Sequence, residues 1–225
     1  MKKVIISTLC LVLTITTFGQ KKKNINPDFF NRKVSFGIVT GIGQSAFKIK
    51  ETNWNQTTLK DTFNSVIANS GLLVIIGNEV KFKITNNFSY RQRLLLNFES
   101  TTLQFDTKKH GVKKLKVQNV VIEAPIHFIF QRTFDNKRPY ILLGSTLKYN
   151  LGQSKDVKDK FQIKPFDMTA DLGIGIEIKL MKFLIAPELN FSQSLLNIQK
   201  NIGTNYSNTI SKLGRQNVIF TIAVR

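Results

Sequence analysis

Acidic and basic residues recur at alternate positions within apolar-rich runs of this chain. Glu79 is two residues from Lys81, and Arg91 is two from Arg93. Glu99, Glu123, Asp171, Glu177 and Glu188 each take the non-apolar phase of a similar run. Residues two apart share one face of an extended strand. If the runs pair around a closed interior, Glu79, Lys81, Arg91, Arg93, Glu99, Glu123, Asp171, Glu177 and Glu188 all point inward. Charges in a narrow interior must pair or stay hydrated, because an isolated desolvated charge is costly. Two readings follow: an ion-pair and hydrogen-bond network that fills the space, or a path for an ion or substrate. The interior of an eight-stranded barrel is just wide enough for side chains to fill. The structural network is therefore the expectation.

Other chemistries find less support. Hydrolysis by a nucleophile needs a Ser or Cys beside a base. The chain has two histidines, His110 in a polar segment and His127 on the inward phase of its run, and no recognisable nucleophile motif. No His cluster or calcium-loop spacing suggests a metal, and no Gly-rich loop suggests a bound phosphate. Gly37, Gly41, Gly43, Gly173 and Gly175 read instead as strand glycines on a crowded inner face. Catalytic residues, cofactor and metal are all expected to be none.

The elements that must position the charges are eight strand-like runs. The first, about 33–49, sets Val34, Phe36, Ile38 and Ile42 against Ser35, Gly37, Gly41 and Gly43. The others fall at about 70–83, 88–105, 115–130, 138–151, 164–180, 182–195 and after 214. The sixth alternates most cleanly, with Phe166, Met168, Leu172, Ile174 and Ile176 against Asp167, Asp171, Gly173, Gly175 and Glu177. The fifth is ambiguous, because both its phases carry apolar residues. Long polar segments at 50–69 (with Trp54), 106–114, 152–163 and 197–214 alternate with short turns at 85–87, 133–137 and near Met181. Long exterior loops alternating with tight periplasmic turns are the layout of an outer-membrane barrel. A lipocalin-like barrel would bury the apolar face instead. The expected fold is all-β: an eight-stranded antiparallel up-and-down outer-membrane β-barrel.

The ends and composition agree. Residues 1–20 read as a secretory signal peptide, with Lys2 and Lys3 before the apolar run Val4–Ile15 and cleavage near Gly19/Gln20. Residues 21–32 then form a short periplasmic segment and 33–225 the barrel domain. Cys10 is the only cysteine, so the mature chain holds no disulfide or thiolate site. The net charge is +19, or +17 without Lys2 and Lys3. Export argues against nucleic acid as the partner. Outer-membrane lipid and lipopolysaccharide suit the charge better, with the basic run Lys108–Lys116 a candidate contact.

Several stretches together resemble the PorT family of outer-membrane barrels, found in bacteria with type IX secretion. They are Asn31-Arg32-Lys33-Val34-Ser35-Phe36-Gly37-Ile38, Ile122-Glu123-Ala124-Pro125-Ile126, and Arg138-Pro139-Tyr140-Ile141 with Gly144. Lys164-Pro165-Phe166-Asp167, Gly173-Ile174-Gly175, Ala186-Pro187-Glu188 and Asn205-Tyr206 follow in the same order. The resemblance implies a non-enzymatic component of the type IX protein secretion system, needed for export of proteins to the cell surface and, in gliding relatives, for adhesin delivery. Its implied partners are other type IX secretion proteins. The resemblance supplies no catalytic residues; Glu123 and Glu188 match motif positions as structural residues. The alternatives are a small structural or ligand-binding barrel unrelated to secretion and, last, a lipid-modifying enzyme.

Overall fold

A computed structural model describes residues 30–52, 63–107, 111–153, 161–180 and 183–225. Residues 1–20, read from sequence as a signal peptide, and Trp54, Lys108, Lys109, His110 and Met181 lie outside the described residues. The strands are β1 (Val34–Glu51), β2 (Phe63–Asn69), β3 (Gly71–Lys83), β4 (Phe88–Thr107), β5 (Gly111–Gln131), β6 (Lys137–Gln153), β7 (Gln162–Ile163), β8 (Phe166–Lys179), β9 (Leu184–Ser194), β10 (Gln199–Lys200) and β11 (Ile210–Val224). A short helix, α1 (Asn205–Asn208), precedes β11.

The strands pair antiparallel in the order β3-β1-β11-β9-β8-β6-β5, and β4 closes the ring by pairing with both β3 and β5. β2 continues β3 upward along β4, so the ring has eight walls. Its stagger can be traced through paired residues. Ala46 leads through Gln216, Gln193, Ala170, Ser145, Ile126, Gln92 and Val80 back to β1 at Phe36, ten residues below its start. Such a stagger is what strand tilt imposes on a closed sheet. Closure gives each of the eight walls two paired neighbours, the condition for a sheet to cross hydrocarbon. Among the described residues no helix is long and apolar enough to cross a membrane.

Polarity is inside-out through the lower part of the ring. Phe36 and Ile38 are 70% and 65% exposed on the outside, whereas inward Arg91 is 0% and Glu188 1% exposed. On β1 the outer band runs from Val34 to Ala46, about 12 residues, or roughly 30 Å along the axis at a 40° tilt. That matches the thickness of a hydrocarbon core. At the end holding the short turns, Phe82, Tyr90, Phe88, Phe128 and Phe130 pack ring to ring outside, with centroids 5.1–6.0 Å apart. They form part of an aromatic girdle.

Above the band the polarity reverses on the same strands. Phe47, Val66, Leu103, Phe105, Leu115, Val117 and Leu213 turn inward into an apolar core. Phe161, Ile163 and Ile198 join it from the segments around the paired β7 and β10, and the Tyr206 ring meets Phe105 edge-on at 5.0 Å. This region corrects the sequence-based boundaries. Residues 63–69, 111–114 and 210–214, read as loop, are strand, and the 197–214 segment also holds β10 and α1. β6 resolves its ambiguity with Tyr140, Leu142, Thr146 and Lys148 inward and Ile141, Leu143 and Leu147 outward.

Phe220 lies midway down the outer band, and Gln118 lies just above it. Phe220→Arg should lower stability by about 2–4 kcal/mol, the penalty for a cation near the bilayer midplane. Gln118→Arg should change it by less than about 0.5 kcal/mol. Urea-driven unfolding of the vesicle-reconstituted protein measures both, and equal effects would contradict this placement of the membrane.

Candidate functional site: the charged lumen

The lumen collects seven carboxylates: Glu79, Glu99, Glu123, Asp167, Asp171, Glu177 and Glu188. Facing them are seven basic side chains: Lys81, Arg91, Arg93, Arg138, Lys148, Arg215 and Arg225. Among the described residues the interior is thus formally charge-balanced.

Most of these groups form one continuous chain of contacts. Lys81 Nζ donates to Glu177 Oε1 at 2.5 Å and to Gln131 Oε1 at 2.6 Å. Arg225 bridges Glu177 and Glu79. Arg93 donates from Nε to Glu79 at 2.9 Å and from Nη1 to Glu188 at 2.8 Å. Arg91 grips Glu188 through Nη1 at 2.6 Å and Nη2 at 3.1 Å, a two-pronged geometry that fixes orientation as well as charge. Tyr140 adds a hydroxyl donor to Glu188 at 2.8 Å.

His127 ends this chain. Arg91 Nη2 lies 3.0 Å from His127 Nδ1, so that nitrogen must accept. The ring proton then sits on Nε2, which donates to Asp171 Oδ2 at 3.2 Å. Thr146 and Thr169 also donate to Asp171, at 2.5 and 2.8 Å. Both ring nitrogens of His127 are therefore engaged by charged partners.

Two further groups complete the lumen. Glu123 accepts from Lys148 and Asn97, both at 2.8 Å. Higher up, Arg215 reaches Glu99 at 2.7 Å and Asp167 at 3.6 Å, and Ser194 donates to Asp167 at 2.6 Å. Below, the described start of the chain folds into the mouth. Arg138 stacks over the Phe30 ring at 4.2 Å and donates to the Phe30 carbonyl at 3.0 Å.

All nine residues placed inward by phase (Glu79, Lys81, Arg91, Arg93, Glu99, Glu123, Asp171, Glu177 and Glu188) face this interior. All but Asp171 lie within reach of an opposite charge, and Asp171 accepts from neutral His127 and two threonines. Arg138, Tyr140, Lys148, Asp167, Arg215 and Arg225 complete the network and were not singled out. Asp167 and Arg225 sit in the inward phase of their runs, so alternation alone could have found them. Tyr140 and Lys148 were hidden by the mixed faces of β6, and Arg215 by the reversal of polarity in β11.

Small residues make the charges fit. Built at Gly37, a Cβ would come within 2.8 Å of Arg225 Cγ and 3.2 Å of Glu79 Cγ. At Gly175 it would overlap the Tyr140 ring. Prolines shape the wall: the β4–β5 ladder skips Ala124–Pro125 and the β8–β9 ladder skips Ala186–Pro187, since proline offers no N–H. Beside the network, the membrane-spanning lumen holds two cavities of about 20 Å³ each, roughly the space of one water. Among the described residues, no group of three His, Cys, Asp or Glu side chains is placed to hold a metal.

A closed eight-walled sheet with an apolar exterior and a salt-bridged interior is an outer-membrane β-barrel. Residues 18–200 match the outer membrane protein beta-barrel domain family, and the chain belongs to that family. Similar solved structures include OprG from Pseudomonas aeruginosa, at 8% identity over 84% of this chain and 93% of that one, TM-score 0.45. Ail, the attachment invasion locus protein of Yersinia pestis, is similar at 11% identity over 86% and 99%, TM-score 0.41. Neisserial surface protein A (NspA) has the same identity and coverages, with TM-score 0.40. These distant likenesses add nothing beyond the fold. Among curated proteins, no relative matches.

Glu188→Gln removes the carboxylate shared by Arg91 and Arg93 and leaves buried cations under-compensated. It should destabilise the barrel by about 3–5 kcal/mol, read as a lowered urea midpoint. A shift no larger than that of Glu51→Gln at the exposed rim would show that the pairing carries little of the fold's stability.

Proposed function

We propose that this barrel is a non-enzymatic component of the type IX secretion system, of the PorT type, needed to deliver proteins to the cell surface. The reading rests on the ordered stretches that resemble that family. One observation supports it most directly: motifs far apart in sequence form one physical unit. In Arg138-Pro139-Tyr140, Gly173-Ile174-Gly175 and Ala186-Pro187-Glu188, the Tyr140 ring lies against Gly175 and its hydroxyl donates to Glu188. The Glu123 and Asp167 motifs each anchor their own buried cation, Lys148 and Arg215. The stretches that carry the resemblance thus depend on one another mechanically.

A lumen filled in this way favours action by contact over conduction. In this proposal the barrel engages other secretion proteins through its exterior loops or periplasmic turns, in a membrane of lipopolysaccharide and lipid. Residues 1–20 direct export and are cleaved near Gly19/Gln20, and residues 21–32 remain on the periplasmic side.

Deleting the gene and comparing surface and periplasmic proteomes tests the proposal. Many cargo proteins should leave the surface and accumulate in the periplasm, with recovery on complementation. An unchanged surface proteome would overturn the secretion role and leave the barrel assignment intact.

A further inference from the structure

The outer wall carries a cationic site where the apolar band ends. On β1 and β11, Lys50 lies directly opposite Lys212, and Lys48 opposite Gly214. All three lysines are exposed and share the outer face. Like charges directly opposite on paired strands repel, so this arrangement needs a compensating charge. Among the described residues, no carboxylate forms an ion pair with any of the three. Glu51 is committed elsewhere, accepting from the Val66 amide at 3.0 Å.

The lysines border a cavity of about 190 Å³ that also involves Gln193, Ser194 and Gly214. It opens where β9 leaves the ring: pairing between β9 and β11 begins only at Gln193 and Gln216. The space beside Gly214 is open, since a Cβ built there would meet nothing nearer than Ser194 Cβ at 3.5 Å. The volume is below the roughly 300–1,000 Å³ that encloses a whole small molecule, and it suits a headgroup fragment.

Height identifies the occupant. Following the ring's stagger, exposed Leu195, Phe166, Tyr149, Phe98 and Leu72 lie level with Ala46 and mark the top of the apolar band. Lys48 is two residues higher, about 5 Å along the axis, and Lys50 about 10 Å. The polar layer of a bilayer is only roughly 5–8 Å deep on each side, so Lys48 stands at headgroup height and Lys50 at its outer edge, where a flexible lysine side chain still reaches the headgroups. Just below them, exposed Val218, Phe220 and Phe191 offer an apolar track. On β5, Lys116 stands about as high above the band as Lys50, and Lys113 and Lys114 stand higher, but none of the three borders this cavity.

We propose that Lys48, Lys50 and Lys212 bind the phosphate groups of an outer-leaflet glycolipid whose acyl chains lie along Val218, Phe220 and Phe191. The site is independent of the secretion role. The experiment is native mass spectrometry of the detergent-purified protein with diphosphoryl lipid A, the same glycolipid dephosphorylated, and inorganic phosphate. Wild type should prefer the phosphorylated glycolipid. Each lysine at an anionic surface contributes about a factor of five. Lys48→Gln/Lys50→Gln/Lys212→Gln should therefore weaken that binding about a hundredfold and Lys212→Gln alone about fivefold. Lys113→Gln/Lys114→Gln/Lys116→Gln should leave it unchanged, and heat-modifiable electrophoretic mobility verifies that each variant is folded. Undiminished binding by the folded triple variant, or by Lys212→Gln if the triple variant does not fold, would overturn the site. So would equal loss in the β5 variant, or displacement by millimolar inorganic phosphate, which would indicate a free-anion site.

Discussion

Charge neutrality inside a closed ring is the constraint on which the rest depends. Closing eight tilted strands satisfies the backbone and leaves a narrow space that only side chains can occupy. Glycine and small polar residues on β1 yield that space, and long charged residues on β3, β4, β6 and β8 fill it. Once arginines enter, each needs a carboxylate within reach, because breaking such a pair strands a buried charge. A buried pair is not in itself strong evidence of added stability. Its contribution here is geometric: Arg91 and Arg93 of β4 meet Glu188 of β9 across the lumen, so opposite walls are fixed in one register.

The same strands meet two solvents. Below the level of Ala46 the outside is hydrocarbon and the inside carries charges. Above it the outside is aqueous and the inside is apolar. No break in the chain marks the switch on β4, where Phe98 faces outward and Leu103 and Phe105 face inward. The two zones serve one purpose, since each turns towards its surroundings the surface that those surroundings solvate.

That switch explains what the sequence showed and what it hid. Within the membrane, the alternation of Phe166, Met168, Leu172 and Ile174 with Asp167, Asp171 and Gly173 made both strand and facing legible. Above the membrane the outward phase turns polar, as at Lys114, Lys116 and Lys212, and alternation no longer looks like a barrel wall. Residues 63–69, 111–114 and 210–214 therefore read as loops. Phase also revealed which residues face inward but not which of them meet, because partners across a lumen belong to different walls. Arg91 and Glu188 are 97 positions apart, and nothing local links them. β6 was opaque for a simpler reason: Tyr140 and Leu142 fill the lumen with apolar bulk, so both faces look alike.

Proline supplies the last constraint. In the middle of a sheet it costs a ladder hydrogen bond, yet Pro125 and Pro187 each sit within two residues of a lumenal glutamate, Glu123 and Glu188. Both lie where pairing with the neighbouring strand is interrupted. On β4 the skipped residues include Arg93 itself, the group that bridges Glu79 and Glu188. On β8 they include Glu177, which holds Lys81 and Arg225. A wall relieved of strict pairing at these points can bend to suit the side-chain contacts, and the ion pairs then fix the bend. The Glu-x-Pro and Pro-Glu stretches are in this sense a single device, with the proline loosening the wall where the glutamate must reach its arginine or lysine.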